Sequence, residues 1–128
     1  MSYEKTVWAG EGTLAREQEY NDHWCYERGI ITKAWLDVYA ATGDRRFYDA
    51  AKANVDQYVT ADGEILTYEP DKYNLDMICM GRTALRLFKA TGEAKYEKAC
   101  RRLIEQIKGQ PTTAEGGFWH KKLYPQQM

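Results

Sequence analysis

LDVYAATGDRRFYDAAKANV, Leu36 to Val55, returns in outline as LRLFKATGEAKYEKACRRLI, Leu85 to Ile104. Superposing Gly43 on Gly92 gives an offset of 49 residues, pairing Leu36 with Leu85, Tyr39 with Phe88, Phe47 with Tyr96, Ala50 with Ala99 and Val55 with Ile104. Each glycine follows a helical stripe and suits the left-handed position that closes a helix. Outward from the two Thr-Gly turns, apolar residues recur at the i, i+3, i+4, i+7 spacing of one helix face. The first stripe is Ile31, Ala34, Trp35 and Val38, and the second is Phe47, Ala50, Ala51, Val55 and Tyr58. The third is Ile78, Gly81, Leu85 and Phe88, and the fourth is Tyr96, Ala99, Cys100, Leu103, Ile104 and Ile107. Asp22, Asp44 and Asn74 stand where caps are needed. The spacing predicts helices near 23–41, 45–59, 75–90 and 94–108, hence an all-α chain of two hairpin repeats. Such units need neighbours to bury their apolar faces, as in an α-solenoid or an (α/α) toroid. Residues 1–21 are weakly patterned, with Trp8 and Leu14 the only large apolar anchors, and read as an arm.

The chain has 128 residues with 18 Lys+Arg against 19 Asp+Glu. That balance implies neither nucleic acid nor an anionic membrane as partner. No apolar run approaches the ~20 residues that span a bilayer, and MSYEKTVWAGEG lacks a signal peptide's core, so a soluble, cytoplasmic protein is expected. The odd set Cys25, Cys79 and Cys100 contains no CxxC pair and reads as free thiols. His23 and Cys25 have no second pair at ligand spacing, so no metal is expected. The sequence offers no P-loop, GxGxxG or Ser/His/Asp order. Its 10 Tyr and 4 Trp suit sugars as well as wet protein interfaces.

The last stretch, QPTTAEGGFWHKKLYPQQM from Gln110 to Met128, is loop by its prolines and Gly116-Gly117, yet it carries Phe118, Trp119 and Tyr124. Two readings stay open on chemistry alone. It is either a lid on the helix ends or one wall of a cleft in which Trp119 offers a flat face and His120 a titratable edge. Asp76 is equally two-sided. With Asn74 as N-cap it lies in a first helical turn, where an acid helps a helix to start. Lys121 and Lys122 read as a solvated pair, and Asp22, Glu27, Asp37 and Asp49 as surface or capping residues.

Four stretches in order carry a resemblance: WCYERG (Trp24 to Gly29), YNLDMICMG (Tyr73 to Gly81), the TGD and TGE turns, and EGGFWHKKLYPQQM. Together they resemble glycoside hydrolase family 105, the unsaturated rhamnogalacturonyl hydrolases, and more distantly family 88, the unsaturated glucuronyl hydrolases. The resemblance runs from about Trp24 to Met128. It implies a partial arc of an (α/α)6 barrel, two clear hairpins of six. It implies a reaction that removes a 4,5-unsaturated uronic acid from the non-reducing end of an oligosaccharide, without cofactor. By the same resemblance Asp76 is the second active-site carboxylate, ionised, and His120 a substrate contact. Trp24, Tyr26, Tyr73 and Trp119 line the cleft. In the family, the segment after YPQQM continues into a tryptophan, a leucine and the aspartate that serves as general acid. The chain stops at Met128, which makes it an expected N-terminal part of an enzyme, inactive alone and open to self-association through uncovered helix faces. The rival from another class is a non-catalytic helical-repeat interaction module.

Overall fold

The computed structural model describes residues 10–16, 23–118 and 120. Four α-helices form two hairpins: α1 (Tyr26–Thr42) with α2 (Arg45–Asp56), and α3 (Gly81–Thr91) with α4 (Ala94–Gly109). Among the described residues there is no strand beyond two isolated antiparallel bridges, Val59 to Ile65 and Thr112 to Phe118.

The two Thr-Gly turns have one geometry. Gly43 sits at φ 73°, ψ 6° and Gly92 at φ 71°, ψ 7°, and each donates its N–H 2.7 Å to a carbonyl, of Tyr39 and Phe88. Thr42 Oγ1 donates to Val38 O and Thr91 Oγ1 to Leu87 O, both at 2.7 Å. Each hydroxyl then accepts the N–H of the acidic residue two positions on, at 3.1 Å. A glycine that reaches positive φ without a Cβ penalty thus stops one helix and aims the next.

The repeat extends into the loops, where its offset becomes 53. Thr60-Ala-Asp-Gly63-Glu64 and Thr113-Ala-Glu-Gly116-Gly117 close alike. Gly63 N–H donates to Thr60 O and Gly116 N–H to Thr113 O, both at 2.9 Å. Thr60 N–H reaches Glu64 O at 2.9 Å and Thr113 N–H reaches Gly117 O at 2.7 Å. The four extra residues lie in the helix before the loop. Helix α2 has 12 residues and α4 has 16, about one added turn.

The hairpins lie side by side with α1 parallel to α3. Thr32 and Thr83 share a buried hydroxyl–hydroxyl bond of 2.8 Å, and Asp37 pairs with Arg86 at 2.7 Å, both partners advancing along their helices together. The N-terminal ends of α1 and α3 therefore face the same way. Between the hairpins lies one core that includes Trp24, Trp35, Phe47, Val55, Met80, Leu87, Tyr96 and Leu103. Of the expected arm, 10–15 is helical and packs on the first hairpin. Trp35 Nε1 donates to Thr13 Oγ1 at 2.8 Å and Arg46 meets Glu11 at 2.9 Å.

Three boundaries differ from expectation by more than one residue, and the first is the end of α2, which stops at Asp56 and not at 59. Helix α1 begins at Tyr26 with Cys25 as an N-cap that makes no side-chain cap bond, and Asp22 lies outside the described residues. Helix α3 begins at Gly81, not at 75. Asn74 does act as a cap, its Oδ1 accepting from Asp76 N–H at 3.0 Å, but of a three-residue 3₁₀ turn, Leu75–Met77. The chain bends again through 78–80, where Met80 is fully buried and Cys79 presses on Gly29. A Cβ on Gly29 would stand 2.7 Å from Cys79 Sγ and 2.9 Å from its carbonyl carbon. Tertiary contact overrides the helical pattern there.

Candidate active site

At the shared N-terminal end of α1 and α3, three separate segments meet. Asp76 comes from the 3₁₀ turn before α3, Tyr26 from the first turn of α1 and His120 from the loop after α4. His120 Nε2 lies 3.3 Å from Asp76 Oδ1, and both side chains are about one-third exposed. The His120 carbonyl accepts from Leu75 N–H at 2.9 Å, so backbone and side chain dock on the same turn. The charge of Glu27, and then partial burial, raise the Tyr26 hydroxyl above the ordinary tyrosine range, with Asp76 adding to the effect. Tyr26 itself is an exposed residue at the start of α1.

Trp24 supports this site from below. It is 0% exposed, a core residue and not a wall offered to a ligand. Its indole N–H donates to Met77 O at 2.6 Å, and its backbone N–H donates to Thr67 Oγ1 at 2.8 Å. The expectation that its ring lines the cleft is corrected accordingly, since the indole is spent in fixing the turn that carries Asp76. Tyr73 sits at φ 48° in the left-handed region, half-buried, its ring against Gly109 at the end of α4. Trp119 and the Lys121–Lys122 pair lie outside the described residues.

Sequence reasoning passed over the groups that hold these residues. Gln106 Nε2 donates to Asn74 O at 3.1 Å, and Gln110 Nε2 donates to Tyr73 O at 2.7 Å. The two glutamines also bond each other at 3.1 Å, and Tyr68 Oη donates to Gln106 Oε1 at 2.5 Å. Burial, with a smaller contribution from Tyr73, pushes the Tyr68 hydroxyl up to about 12, so it stays a donor. Such a satisfied buried network fixes the backbone of 73–76. The available signal was a polar pair four residues apart, Gln106 and Gln110, running through an apolar helix face. Glu27, expected as a surface or capping residue, is partly buried in the first turn of α1. It stands 49 residues before Asp76, and its Oε2 accepts from the Cys25 thiol at 3.1 Å.

The sequence profile of Glycosyl Hydrolase Family 88 matches residues 5–128. The chain belongs to that family. Its fold is also similar to a solved structure described as a family 105 glycoside hydrolase from C. acetobutylicum ATCC 824, with TM-score 0.81 and 36% sequence identity. That match covers 98% of this chain and 33% of the other. The chain therefore spans about one third of that relative. Its two hairpins are a partial arc of the six-hairpin glycosidase barrel. Among the described residues no three His, Cys, Asp or Glu side chains gather as a metal site, and no helix is long and apolar enough to cross a membrane.

Proposed function

We propose that this segment is the Asp76 half of an active site that hydrates the C4=C5 bond of a terminal 4,5-unsaturated uronic acid. The observation that carries the reading is the Asp76–His120 pair at 3.3 Å, built from two segments 44 positions apart and matching the family's YNLD and FWHK stretches. The C4=C5 bond belongs to a vinyl ether, so the ordinary two-carboxylate displacement at C1 is not required. A proton added at C4 leaves positive charge shared by C5 and the ring oxygen. Water adds at C5 and gives up a proton, and the hemiketal opens to a ketone. Ring opening leaves C1 as a hemiacetal, which expels the neighbouring sugar.

In this reading Asp76 is the carboxylate that orients the water and faces the developing charge. His120 holds the sugar or Asp76 itself, and Tyr26 supplies a hydroxyl at the rim. The proton donor is supplied by the segment that comes after YPQQM in the family, and the chain is part of one six-hairpin domain. The substrates are then lyase-generated galacturonyl or glucuronyl oligosaccharides, as in pectin degradation. The apolar face of the second hairpin meets a further hairpin in the complete barrel and is open to self-association without one.

The test is loss of the substrate's double-bond ultraviolet absorbance. A longer protein containing this segment should turn over an unsaturated uronyl disaccharide, and Asp76→Asn should lower kcat by about 10²-fold or more. The 128-residue segment alone should show no turnover, because donor and far wall contribute both proton transfer and positioning. Robust turnover by the segment would mean that a carboxylate within it is the acid. A longer protein that leaves every unsaturated uronide untouched, with no sugar-dependent change in tryptophan fluorescence, would favour the non-catalytic module.

A further inference from the structure

We propose that Tyr68 is a positioning residue of this site, its phenolic proton setting the direction of the Gln106–Gln110 bonds that hold the turn carrying Asp76. The inference rests on the unsaturated-uronide reading for its kinetic consequence, and on hydrogen-bond geometry for the rest. A glutamine amide accepts on one side and donates on the other, so a half-turn about its last bond exchanges the two. Tyr68 Oη donates to Gln106 Oε1 at 2.5 Å, which fixes how that amide lies. Gln106 Nε2 then faces the other way with both hydrogens in use, one to Asn74 O and one to Gln110 Oε1, each at 3.1 Å. Gln110 is set in turn, and its Nε2 donates to Tyr73 O at 2.7 Å. Both glutamines are buried, so bulk water does not replace a lost partner. Without the Tyr68 proton, Gln106 Oε1 is stranded. Turning the amide to relieve it would set oxygen against Asn74 O and Gln110 Oε1.

What these bonds hold is the backbone under Asp76. Asn74 O takes Gln106 Nε2 together with the Met77 N–H, both at 3.1 Å. Asn74 Oδ1 caps the Asp76 N–H at 3.0 Å, so a shift of residue 74 carries residue 76 with it. Tyr73 stands at φ 48°, a left-handed setting that a side chain disfavours, and the Gln110 bond keeps its carbonyl in place. Burial pushes the Tyr68 hydroxyl up to about 12, so the proton that sets the direction is present at neutral pH. The repeat marks these bonds as an addition. Helix α2 is closed by a single glutamine, Gln57, which is exposed. The helix offset of 49 matches it to Gln106, and the loop offset of 53 matches it to Gln110. The turn inserted in α4 doubles that glutamine beside the one loop that carries Asp76.

The experiment compares Tyr68→Phe, Gln106→Leu and their double variant in the longer protein. Hydrogen exchange comes first, because it needs no substrate. In Tyr68→Phe the amides of 75–77 should exchange about tenfold faster, the change equivalent to one lost hydrogen bond, while those of α1 and α3 keep their rates. Exchange that quickens throughout, or nowhere, overturns the proposal. With an unsaturated uronyl disaccharide, kcat should fall about tenfold with KM within about twofold, since Asp76 faces charge that develops only at the transition state. A rise in KM at constant kcat, or no change in either, would overturn the positioning role. Gln106→Leu should lose as much, and adding Tyr68→Phe to it should lose nothing more, because Tyr68 acts through that amide. Losses that multiply would contradict this. Should Tyr68→Phe fail to fold, the double variant, which removes the stranded Oε1 as well, decides by the same exchange and kcat readings. Failure of the unsaturated-uronide reading appears instead as absent turnover in the unmutated protein, which leaves the exchange measurement intact.

Discussion

The two hairpins share their turn geometry to within a few degrees, yet equivalent residues differ widely in burial. Leu36 is 4% exposed and Leu85 44%, Val55 is 0% exposed and Ile104 48%. The difference is the neighbour. Leu36 and Tyr39 face Leu87 and Ala90 of the second hairpin across a small cleft. Leu85, Ile104 and Ile107 instead border an apolar groove of about 300 Å³ between α3 and α4. Charge obeys the same rule. Lys52 and Asp56 of α2 reach across to Glu93 and Lys95, whereas Arg101 and Glu105, their counterparts in α4, pair within their own helix. Local sequence sets how a hairpin turns, and only the next unit decides which face becomes core.

The comparison can be broken most sharply at its apolar pair. Leu36→Ala should destabilise the chain by about 2–5 kcal/mol, the usual cost of emptying a buried leucine site. Leu85→Ala should cost no more than about 0.5 kcal/mol, as for an exposed site. Denaturant midpoints measure both. Equal losses would mean that the second hairpin's face is covered in solution, by another copy of the chain among other routes, and sedimentation would then show it.

A second contrast lies in the loops. Gly63 has φ 77°, and a Cβ there would come within 2.2 Å of Lys98 Cβ on α4. Gly116 has φ 90° and open space around it. Gly116→Ala should therefore cost about 1–2 kcal/mol of backbone strain, and Gly63→Ala a further ~1–3 kcal/mol of overpacking. Thermal melts that rank Gly116→Ala as the worse substitution would contradict the packing of the first loop on the second hairpin.

The smallest effect concerns pH. Burial opposes the charge on Asp56, but bonds from Lys52, Tyr96 and Lys95 outweigh it and hold its carboxyl below the usual range. A depressed carboxyl adds stability that is present above the unfolded value, ~4, and lost as pH falls through the folded value. Asp56→Asn should flatten the acid limb of stability against pH relative to the unmutated chain. An unchanged slope would remove the special place of the inter-hairpin junction.

These contrasts also mark what could be read in the sequence. Gly43 and Gly92 were legible because a helix stop depends on neighbours within a few residues. The repeat, the four helices and the Asn74 cap were legible for the same reason. The bend at 78–80 was not, because it answers to Gly29, some fifty positions away. Trp24 was expected by resemblance to line the cleft, because its burial and its N–H bond to Met77 O cannot be seen in one dimension. In the site, Asp76 and His120 came from motif resemblance, and their contact is a tertiary fact that periodicity does not contain. Gln106 and Gln110 stayed hidden since each acts through a backbone carbonyl that only folding brings near.

The central claim is that Asp76 and His120 form one sugar-binding site at the common N-terminal end of α1 and α3. A crystal structure of the longer protein, carrying Asp76→Asn to stall turnover and soaked with an unsaturated uronyl disaccharide, tests it most directly. The account predicts the unsaturated ring within hydrogen-bond distance of residue 76 and His120, with a sugar hydroxyl at Tyr26. A disaccharide bound elsewhere, with His120 still turned onto residue 76 and away from the sugar, would contradict it.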